Sequence, residues 1–185
     1  DQFAPELDPS QALGTLVSES ENSPPGAKGL ILLPYFSGER TPIHDANAKG
    51  VFFGLNLTHD RGDLFRAMIE GIAYGTRHET DTFKDIGQKP SKLFAVGGGT
   101  KNELWLQATS DITEIDQDVR EKTIGASYGD AFLAALSINA VKKSDIKKWN
   151  PLKRKVKHQT NPNYKKNYQI FRRLYESTKD LMREI

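Results

Sequence analysis

Apolar residues recur at two different periods along this chain, and the periods predict helices that alternate with short buried strands. Two runs are apolar throughout, Leu30–Leu33 and Leu93–Val96. The first run lies between a glycine and a proline and the second ends at three glycines, boundaries that are typical of buried strands. A weaker strand is predicted at residues 115–119. Strands that alternate with helices predict a layered α/β domain.

Helical spacing of apolar residues predicts several helices, and most of them have recognisable ends. The first ends at Ser23–Gly26, a Ser-Pro-Pro-Gly turn that cannot continue a helix. Asp63 is predicted to be the N-cap of the second helix, and Asn161 followed by Pro162 predicts the start of the last. The predicted helices are residues 8–22, a segment from Asp63 to the break at Gly87, residues 102–112, residues 124–140 and a terminal helix from residue 161.

Two of these helices have a clear apolar face. The helix after Asp63 also contains Gly71 and Gly75, which are predicted to let another backbone approach closely. The face of that helix is predicted to be Leu64, Phe65, Met68, Ile69 and Ile72, extended by Thr76 and Phe83. The terminal helix is predicted to bury Tyr164, Tyr168, Phe171, Tyr175, Leu181 and Met182. Residues 34–50 are predicted to form a long loop, and long ordered loops are often functional.

The composition is that of an ordinary domain that folds without disulfides. The chain has 185 residues, of which 37% are hydrophobic and 27% charged, and this length suits one domain. It contains no cysteine, which excludes disulfides and thiol catalysis and favours a reducing compartment, so we expect a cytoplasmic protein. No apolar run approaches the roughly 20 residues of a membrane span, so no membrane partner is predicted.

The start of the chain suggests a piece of a longer protein. The first residue is Asp1, and Phe3–Leu7 has the pattern of the end of a helix already under way. We therefore expect a C-terminal piece whose N-terminal domain is absent. Within it we expect a core of about residues 1–140, followed by a basic segment and terminal helix at residues 141–185.

Basic side chains are concentrated near the end of the chain, although the net charge is only +2. Between Lys142 and Arg173 the single acidic residue is Asp145. Clustered cations can bind nucleic acid because they release counterions from its phosphates. A solvated lysine face is the favoured interpretation, since the segment lacks the mixture of arginine and aromatic residues that stacks on bases. Nucleic acid or another polyanion is therefore the less favoured partner.

Three glycines, Gly97, Gly98 and Gly99, are the main candidate for ligand binding. They follow a predicted strand and precede a predicted helix, and they have no Cβ atoms to keep a ligand from the backbone. Free N–H groups at the start of the helix, near Asn102, offer partial positive charge to a phosphate or a ribose oxygen. The segment has neither the ending of a P-loop nor the dinucleotide pattern G-x-G-x-x-G. Alone it is weak evidence, because glycine-rich turns are common.

The segment Gly50–Glu70, GVFFGLNLTHDRGDLFRAMIE, resembles the second signature of the FGGY family of carbohydrate kinases. That signature is small-x-apolar-x-Gly-aliphatic, a fixed gap, then polar-aliphatic-x-x-Ala-x-aliphatic-acid, and every position is met. Tyr35–Pro42 is similar to a loop of the xylulose-kinase-like branch. Gly97–Gly99 with Asn102 resembles the family's adenosine-binding segment, and Asn161–Tyr164 resembles the start of its C-terminal helix. The resemblance covers nearly the whole chain.

This resemblance implies an α/β domain of the actin-like, ribonuclease-H-like ATPase fold, with layered helices on a mixed sheet plus a C-terminal helix. Two such domains flank a cleft in the family, so the implied partners are a sugar, ATP with Mg²⁺, and the protein's own N-terminal domain. The implied nucleotide site is Gly97, Gly98, Gly99 and Asn102, where Gly98 and Gly99 would contact the α-phosphate or ribose through backbone atoms. The implied reaction transfers the γ-phosphate of ATP to a hydroxyl of a pentulose such as xylulose.

The groups that perform phosphoryl transfer are expected outside this chain. The reaction needs a base, a carboxylate that supports Mg²⁺ and donors around the phosphates. In the family the Asp-x-Gly-Thr phosphate loop and the catalytic aspartate precede the matched region, and no Asp-x-Gly-Thr occurs here. No catalytic or metal-binding residue is therefore predicted, and the isolated chain is expected to be inactive and to bind adenine nucleotides weakly.

Two alternative functions and one hypothesis about assembly stay open. The chain could be a non-catalytic module that binds nucleic acid or another polyanion through its basic C-terminal region. It could also be a structural domain of a kinase-like protein that has lost phosphotransfer. An apolar face that the partner domain normally covers could, in addition, drive the fragment into a homodimer.

Several further residues have chemistry that could serve a function, but for most of them we favour a structural role. Asp130 stands where the family commonly has a small residue; a local capping or pairing role is favoured for it, and a position near the adenine is the alternative. His44 and Asp45 are predicted to structure their loop rather than to act as a base and its partner. Glu39 and Arg40 either face the cleft or form a local ion pair. The other histidines have no metal-ligand spacing.

Overall fold

Helices and strands alternate along the chain. The computed structural model describes residues 5–185, apart from the side chain of Pro9. The helices are α1 Pro9–Glu21, α2 Arg61–Asp85, α3 Glu103–Thr113, α4 Ala126–Ser137, α5 Ile146–Trp149 and α6 Pro162–Met182. The strands are β1 Ile31–Leu33, β2 Val51–Phe53, β3 Leu93–Ala95, β4 Gln117–Arg120 and β5 Leu152–Val156. Short 3₁₀ turns lie at Ala27–Gly29, Gly98–Lys101 and Lys143–Asp145.

Two small sheets organise these elements. β1 and β2 form an antiparallel pair in which Ile31 lies opposite Phe53. The second sheet has the order β3-β4-β5, with β3 parallel to β4 and β5 antiparallel to β4. The mixed sheet that was expected is therefore present. β2 and β5 were not predicted, because β2 lies inside the signature segment and β5 is rich in lysine.

The central helix α2 begins three residues before the predicted position. Asp60 is its N-cap and accepts a hydrogen bond from the backbone N–H of Asp63 at 3.0 Å. Asp63 in turn accepts from the backbone N–H of Asp60 at 3.0 Å, so the two form a capping box. The prediction that Asp63 is the N-cap was wrong, because both aspartates have capping chemistry and the sequence does not rank them.

The buried face of α2 is more polar than the predicted stripe. Ile69 is buried as expected, but Ile72 and Phe83 are exposed. Instead the helix buries Asp63, Arg66, Glu70, Ala73 and Tyr74, most of them against the turn after α1 and against α6. The predicted stripe is confirmed for Ile69 and wrong for Ile72 and Phe83, because it counted apolar residues only, whereas hydrogen bonds hold much of this face.

Gly71 and Gly75, two of the three glycines of α2, differ in their surroundings. A Cβ atom on Gly71 would lie 2.7 Å from the carbonyl oxygen of Leu32, so β1 approaches the helix backbone closely at this point. A Cβ atom on Gly75 would meet nothing within 4 Å. The predicted close approach is therefore confirmed for Gly71 and wrong for Gly75.

The main hydrophobic core joins β1, α2, α3 and α6. The terminal helix α6 supplies much of it, and Phe171 is fully buried against Tyr35 and Tyr74. The predicted buried face of α6 is confirmed for Tyr164, Tyr168, Phe171, Tyr175 and Met182 and is wrong for Leu181, which is exposed. Leu181 lies in the last turn of the helix, where the neighbouring Met182 takes the buried position.

Two further predictions need correction. The strand at Leu93–Val96 is present as β3, but it is not buried, because Phe94 and Val96 are 57% and 59% exposed. The weak strand predicted at residues 115–119 is displaced to Gln117–Arg120.

Helix α4 is mostly exposed, with Phe132 its buried residue. The predicted helix end at Phe3–Leu7 falls partly on residues 1–4, outside the described residues, and Pro5–Leu7 form a turn and bend.

None of the helices between residues 5 and 185 combines the length and the hydrophobicity that crossing a bilayer requires.

Candidate functional site

The three glycines lie where β3 turns into the 3₁₀ helix that precedes α3. Gly97 has a φ of 84°, which favours glycine, and its N–H donates to the carbonyl of Thr123 at 2.6 Å. The hydroxyl of Thr100 donates to the carbonyl of Gly97 at 2.7 Å and closes the turn. Gly98 and Gly99 start the 3₁₀ turn, and within residues 5–185 their N–H groups donate to no backbone carbonyl. Those two N–H groups are available to a ligand.

Asn102 is the N-cap of α3. Its Oδ1 accepts a hydrogen bond from the backbone N–H of Trp105 at 3.0 Å, which confirms that α3 starts here. The Nδ2 group of the same side chain donates to no other group in the part of the chain that the structure describes. Asn102 can therefore cap the helix with its oxygen and still offer a donor to a ligand.

Gly98, Gly99 and Asn102 lie on one wall of a groove of about 600 Å³. Residues of α1 and α2 form its other walls. The lining residues are Ser10, Leu13, Gly14, Val17, Phe65, Met68, Ile69, Ile72, Gly98, Gly99, Lys101, Asn102 and Trp105. Most of these side chains are apolar. The α1 wall was not predicted, because a contact between residues so far apart in sequence leaves no local pattern.

The glycines keep the groove open to different degrees. A Cβ atom on Gly98 would meet nothing within 4 Å, so a ligand can reach the backbone there. A Cβ atom on Gly99 would lie 3.1 Å from the ring of Trp105, so this glycine also makes room for the indole. Gly97 does not line the groove; its role in the structure is the turn itself. Lys101 lies at the rim and is exposed, as expected.

A second groove, of about 330 Å³, continues the first along β3. The two grooves share Ile72, Gly99 and Trp105. The second is lined further by Thr76 of α2 and by the residues of β3, and it was not predicted. Together the two grooves form one apolar trough from α1 across α2 to β3.

Two acidic residues of the signature segment, Asp63 and Glu70, form hydrogen bonds with the turn after α1. That turn contains four consecutive residues with positive φ, from Gly26 to Gly29. Glu70 accepts from the N–H of Gly26 at 2.9 Å, and Asp63 accepts from Lys28 Nζ at 2.7 Å. Glu70 and Asp63 of α2 thus stabilise this left-handed turn through hydrogen bonds at Gly26 and Lys28.

The charge states of these acids follow from their surroundings. Burial alone would raise the pKa of Asp63, but hydrogen bonds from Lys28 and Ser23 outweigh burial and hold that pKa below its ordinary value. Burial raises the pKa of Glu70, although hydrogen bonds from Gly26, Arg66 and Tyr164 oppose the rise. Neither carboxylate faces the groove, so both have structural roles.

The loop at residues 34–50 is ordered by a buried acid. Asp45 accepts from the hydroxyl of Tyr175 at 2.8 Å and from the N–H of Asn47 at 2.9 Å. Its backbone pairs in both directions with Glu39. The loop-structuring role predicted for Asp45 is confirmed. Glu39 forms no ion pair with Arg40 among the described residues; it accepts instead from the N–H of Thr41 at 3.2 Å.

Other candidate residues lie away from the groove. Asp130 is exposed and has no hydrogen bond or ion pair within residues 5–185, so the predicted capping or pairing role is wrong. No group of three or more metal-ligand side chains occurs in that range.

Most basic side chains from Lys142 onward are exposed, and Arg154 is paired with Glu103 at 2.6 Å. Binding of a polyanion there stays a prediction.

Comparison with known proteins gives a consistent result. The family model described as "FGGY family of carbohydrate kinases, C-terminal domain" matches residues 6–138. The xylulose kinase of Escherichia coli (strain K12) is 35% identical over 172 residues, which cover 90% of this chain and 35% of that protein. The xylulose kinase of Bacillus subtilis (strain 168) is 30% identical over 187 residues, with 98% and 37% covered. The chain therefore spans little more than a third of these relatives.

Solved structures of sugar kinases have the same fold. The crystal structure of xylulose kinase from Rhodospirillum rubrum superposes with a TM-score of 0.84 at 30% identity, covering 98% of this chain and 37% of that one. Glycerol kinase of Plasmodium falciparum with ADP superposes with a TM-score of 0.74 at 27% identity, covering 92% and 34%. The actin-like ATPase fold that the resemblance implied is confirmed.

Proposed function

Since the chain belongs to the FGGY family of carbohydrate kinases and corresponds to their C-terminal domain, we propose that it is the nucleotide-binding part of an ATP-dependent sugar kinase. Bound ATP would supply the γ-phosphoryl group for transfer to a sugar hydroxyl. The observation that supports this most directly is the groove beside Gly98 and Asn102, where free backbone N–H groups and a free amide donor meet an apolar trough.

The groups in the groove suit a nucleoside. The N–H groups of Gly98 and Gly99 and the Nδ2 of Asn102 can donate to ribose or α-phosphate oxygens. A purine would lie against the apolar walls, where removal of its faces from water is favourable. Gly97 would contribute by fixing the turn that presents the other two glycines.

Residues 5–185 contain no group of three or more acidic, histidine or cysteine side chains that could hold a metal ion. We place the metal ligands, the catalytic base and the sugar pocket in the part of the kinase that lies outside this chain. The isolated chain would then be inactive. It would bind ADP weakly, because half of the cleft is missing and the remaining contacts must offset the entropy of association.

The sugar is proposed from the relatives. The curated proteins that match most of the chain are named xylulose kinases, so a pentulose such as xylulose is the proposed substrate class. The cytoplasm is the proposed location, since the chain contains no cysteine.

Nuclear magnetic resonance with ADP tests the nucleotide site. Millimolar ADP should shift the amide resonances of Gly98, Gly99 and Asn102 in the 185-residue chain. The variant Gly98→Ala should fold normally, because its methyl group meets nothing within 4 Å, and should weaken these shifts by placing that methyl group in the ligand's path. Gly129→Ala is the matched control, because its methyl group is equally free and lies outside the groove.

The variant Asn102→Asp separates capping from binding. Aspartate caps a helix as well as asparagine does, so the stability of α3 should be unchanged. The variant loses the Nδ2 donor and adds a negative charge, so the ADP-induced shifts should fall at least several-fold. Absence of any shift at Gly98 and Asn102 in the wild-type chain at millimolar ADP would contradict the proposed site.

A further inference from the structure

We propose that a polar pocket at the end of the sheet opposite to Gly97–Gly99 is a second ligand site, which takes a small polyhydroxylated anion such as a sugar phosphate. The pocket has a volume of about 380 Å³. It is formed where the C-terminal part of α2 meets the segments before β3 and β4 and the segment after β5. The inference concerns a separate site, and it does not depend on where the nucleotide binds.

The pocket lies at the amino ends of the two parallel strands. Lys89–Ser91 precede β3 and Thr113–Asp116 precede β4, whereas the three glycines follow β3. His158 lies at the same end because β5 runs antiparallel to β4 and stops there. In α/β sheets the principal ligands bind beyond the carboxyl ends of the strands. A ligand in this pocket would therefore be an additional one, separate from the groups that react.

Two lysines supply positive charge to the pocket. Lys89 is exposed and forms no ion pair within residues 5–185, and Lys84 is paired with Asp81. The hydroxyl of Ser91, two residues after Lys89, makes no hydrogen bond to that part of the chain either. An ammonium group and a hydroxyl without protein partners can both donate to phosphate oxygens, and hydrogen bonds to a charged acceptor are the stronger kind.

Two carboxylates supply acceptors in the same pocket. Oδ1 of Asp116 accepts from the backbone N–H of His158 at 3.1 Å and lies 2.8 Å from its Nδ1. Oδ2 of Asp116 has no partner among the residues that the structure describes. The hydrogen bonds from His158 hold the pKa of Asp116 below its ordinary value, so this acceptor is ionised at neutral pH. The second carboxylate, Glu114, is held only by Arg77, at 3.5 Å.

This combination of groups selects the class of ligand. Inorganic phosphate would suit Lys89 but would be repelled by Asp116 and Glu114. A neutral sugar would suit the carboxylates but would leave the ammonium group of Lys89 without a partner. A molecule that carries a phosphate and several hydroxyls satisfies both sets of groups, because its hydroxyls donate to carboxylates and its phosphate accepts from the lysines.

Two buried threonines add acceptors for the same hydroxyls. The hydroxyl of Thr80 donates to the carbonyl of Arg77 at 2.9 Å, and that of Thr113 donates to the carbonyl of Thr109 at 2.7 Å. Each threonine oxygen keeps lone pairs that can accept from a ligand. The pocket volume also falls within the range of about 300–1,000 Å³ that small-molecule sites occupy.

A nuclear magnetic resonance titration of the 185-residue chain tests this site. Ribose 5-phosphate is the probe, and xylose and inorganic phosphate are titrated separately. Ribose 5-phosphate at millimolar concentration should shift the amide resonances of Lys89, Ser91 and Asp116. Xylose and inorganic phosphate should each bind about tenfold more weakly or worse, because each lacks one set of hydrogen bonds to a charged group.

Two variants separate recognition of the phosphate from recognition of the hydroxyls. Lys89→Gln should weaken binding of ribose 5-phosphate about tenfold, because it removes a charged donor. Asp116→Asn should weaken binding of ribose 5-phosphate but strengthen binding of inorganic phosphate, because it removes an ionised acceptor and a repulsive charge together. Asparagine keeps an oxygen for the N–H of His158, and the thermal midpoint of the variant checks that the fold is retained.

Lys122→Gln is the matched control for the loss of a positive charge. Lys122 is exposed, forms no ion pair within the described part of the chain and follows β4, at the other end of the sheet. Its substitution should leave the affinities for ribose 5-phosphate and for inorganic phosphate unchanged.

Three results would overturn the proposal. The first is that ribose 5-phosphate shifts none of the amides of Lys89, Ser91 and Asp116. The second is that inorganic phosphate or xylose binds as tightly as ribose 5-phosphate, which would make the pocket a site for simple anions or for neutral sugars. The third is that Lys89→Gln and Lys122→Gln weaken binding equally, which would assign it to overall charge. Silent ADP shifts at Gly98 and Asn102 would contradict the nucleotide site instead, so the two proposals can fail separately.

Discussion

The carboxylate of Glu70, in the middle of α2, accepts a hydrogen bond of 2.9 Å from the backbone N–H of Gly26, at the turn after α1. The same oxygen accepts from Arg66 Nε at 2.8 Å and from the hydroxyl of Tyr164 at 3.2 Å. Arg66 extends the network to the carbonyl of Ser23 at 2.6 Å. One buried carboxylate oxygen thus joins the signature helix, the turn before β1 and the terminal helix.

This network predicts strong coupling between Arg66 and Glu70. Each single variant, Glu70→Leu or Arg66→Met, should lower the free energy of unfolding by about 3 kcal/mol or more, because it leaves a buried charge without its partner. The double variant should lose clearly less than the sum of the two, because no unpaired charge remains. Urea denaturation of the four proteins measures the coupling. Additive losses would contradict the network.

Gly71 and Gly75 of α2 should respond oppositely to the same substitution. Gly71→Ala places a methyl group 2.7 Å from the Leu32 carbonyl oxygen, and it should destabilise the chain by about 1–3 kcal/mol. Gly75→Ala meets nothing within 4 Å and should stabilise by about 0.5–1 kcal/mol, because alanine favours a helix over glycine. Thermal midpoints of the two variants provide the measurement. A loss of stability in Gly75→Ala would show that the helix is packed there.

Substitution of the two capping aspartates distinguishes their roles. Asp63→Asn should cost about 2 kcal/mol, because the buried carboxylate accepts from Lys28 and Ser23. Asp60→Asn should change stability by no more than a few tenths of a kcal/mol, since asparagine is an equally good N-cap. Chemical denaturation at pH 7 compares them. If both variants lost the same free energy of unfolding, the carboxylate of Asp63 would contribute no more than a helix cap does.

His78 should make the folded chain sensitive to acid. Burial, helped by the nearby charge of Arg172, lowers its pKa from 6.5 to about 4. Between these values the unfolded chain binds a proton that the folded chain does not, so stability falls as the pH falls from 6.5 toward 4. Each unit of pKa difference corresponds to about 1.4 kcal/mol, so the loss from this group is at most about 3.5 kcal/mol.

The variant His78→Leu isolates that contribution. Its stability relative to the original chain should rise as the pH is lowered from 7 to 4.5, with little difference at pH 7. Urea denaturation at several pH values supplies the comparison, and His44→Asn, at an exposed position with a φ of 50° that asparagine tolerates, serves as the control. Parallel pH profiles for His78→Leu and the original chain would exclude the proposed role of His78.

Sequence patterns located the helices whose first residues are marked by an N-cap side chain. Asn102 caps α3 and Asn161 caps α6 as predicted, because an N-cap bonds to residues two or three positions away. The same reasoning placed α2 three residues late, since Asp60 and Asp63 are both suited to the position. β5 escaped detection because an edge strand rich in lysine lacks the apolar pattern of a buried one.

The candidate site was predictable only in part. Gly98, Gly99 and Asn102 lie together on one wall of a groove, whereas Gly97, which the family resemblance placed in the same site, does not line it. The α1 wall, with Leu13 and Val17, depends on tertiary packing between distant segments, which no local pattern encodes. The polar face of α2 was missed for the same reason, because Arg66 and Glu70 find their partners on the turn after α1 and on α6.

Helix α6 lies beyond residue 138, where the family match ends, and yet its Tyr164 bonds to both Arg66 and Glu70. Recombination between homologous kinases at that boundary would combine Tyr164 from one parent with the Arg66–Glu70 ion pair of the other. Productive crossovers should therefore carry the signature helix and α6 from one parent, and positions 66, 70 and 164 should covary among natural relatives.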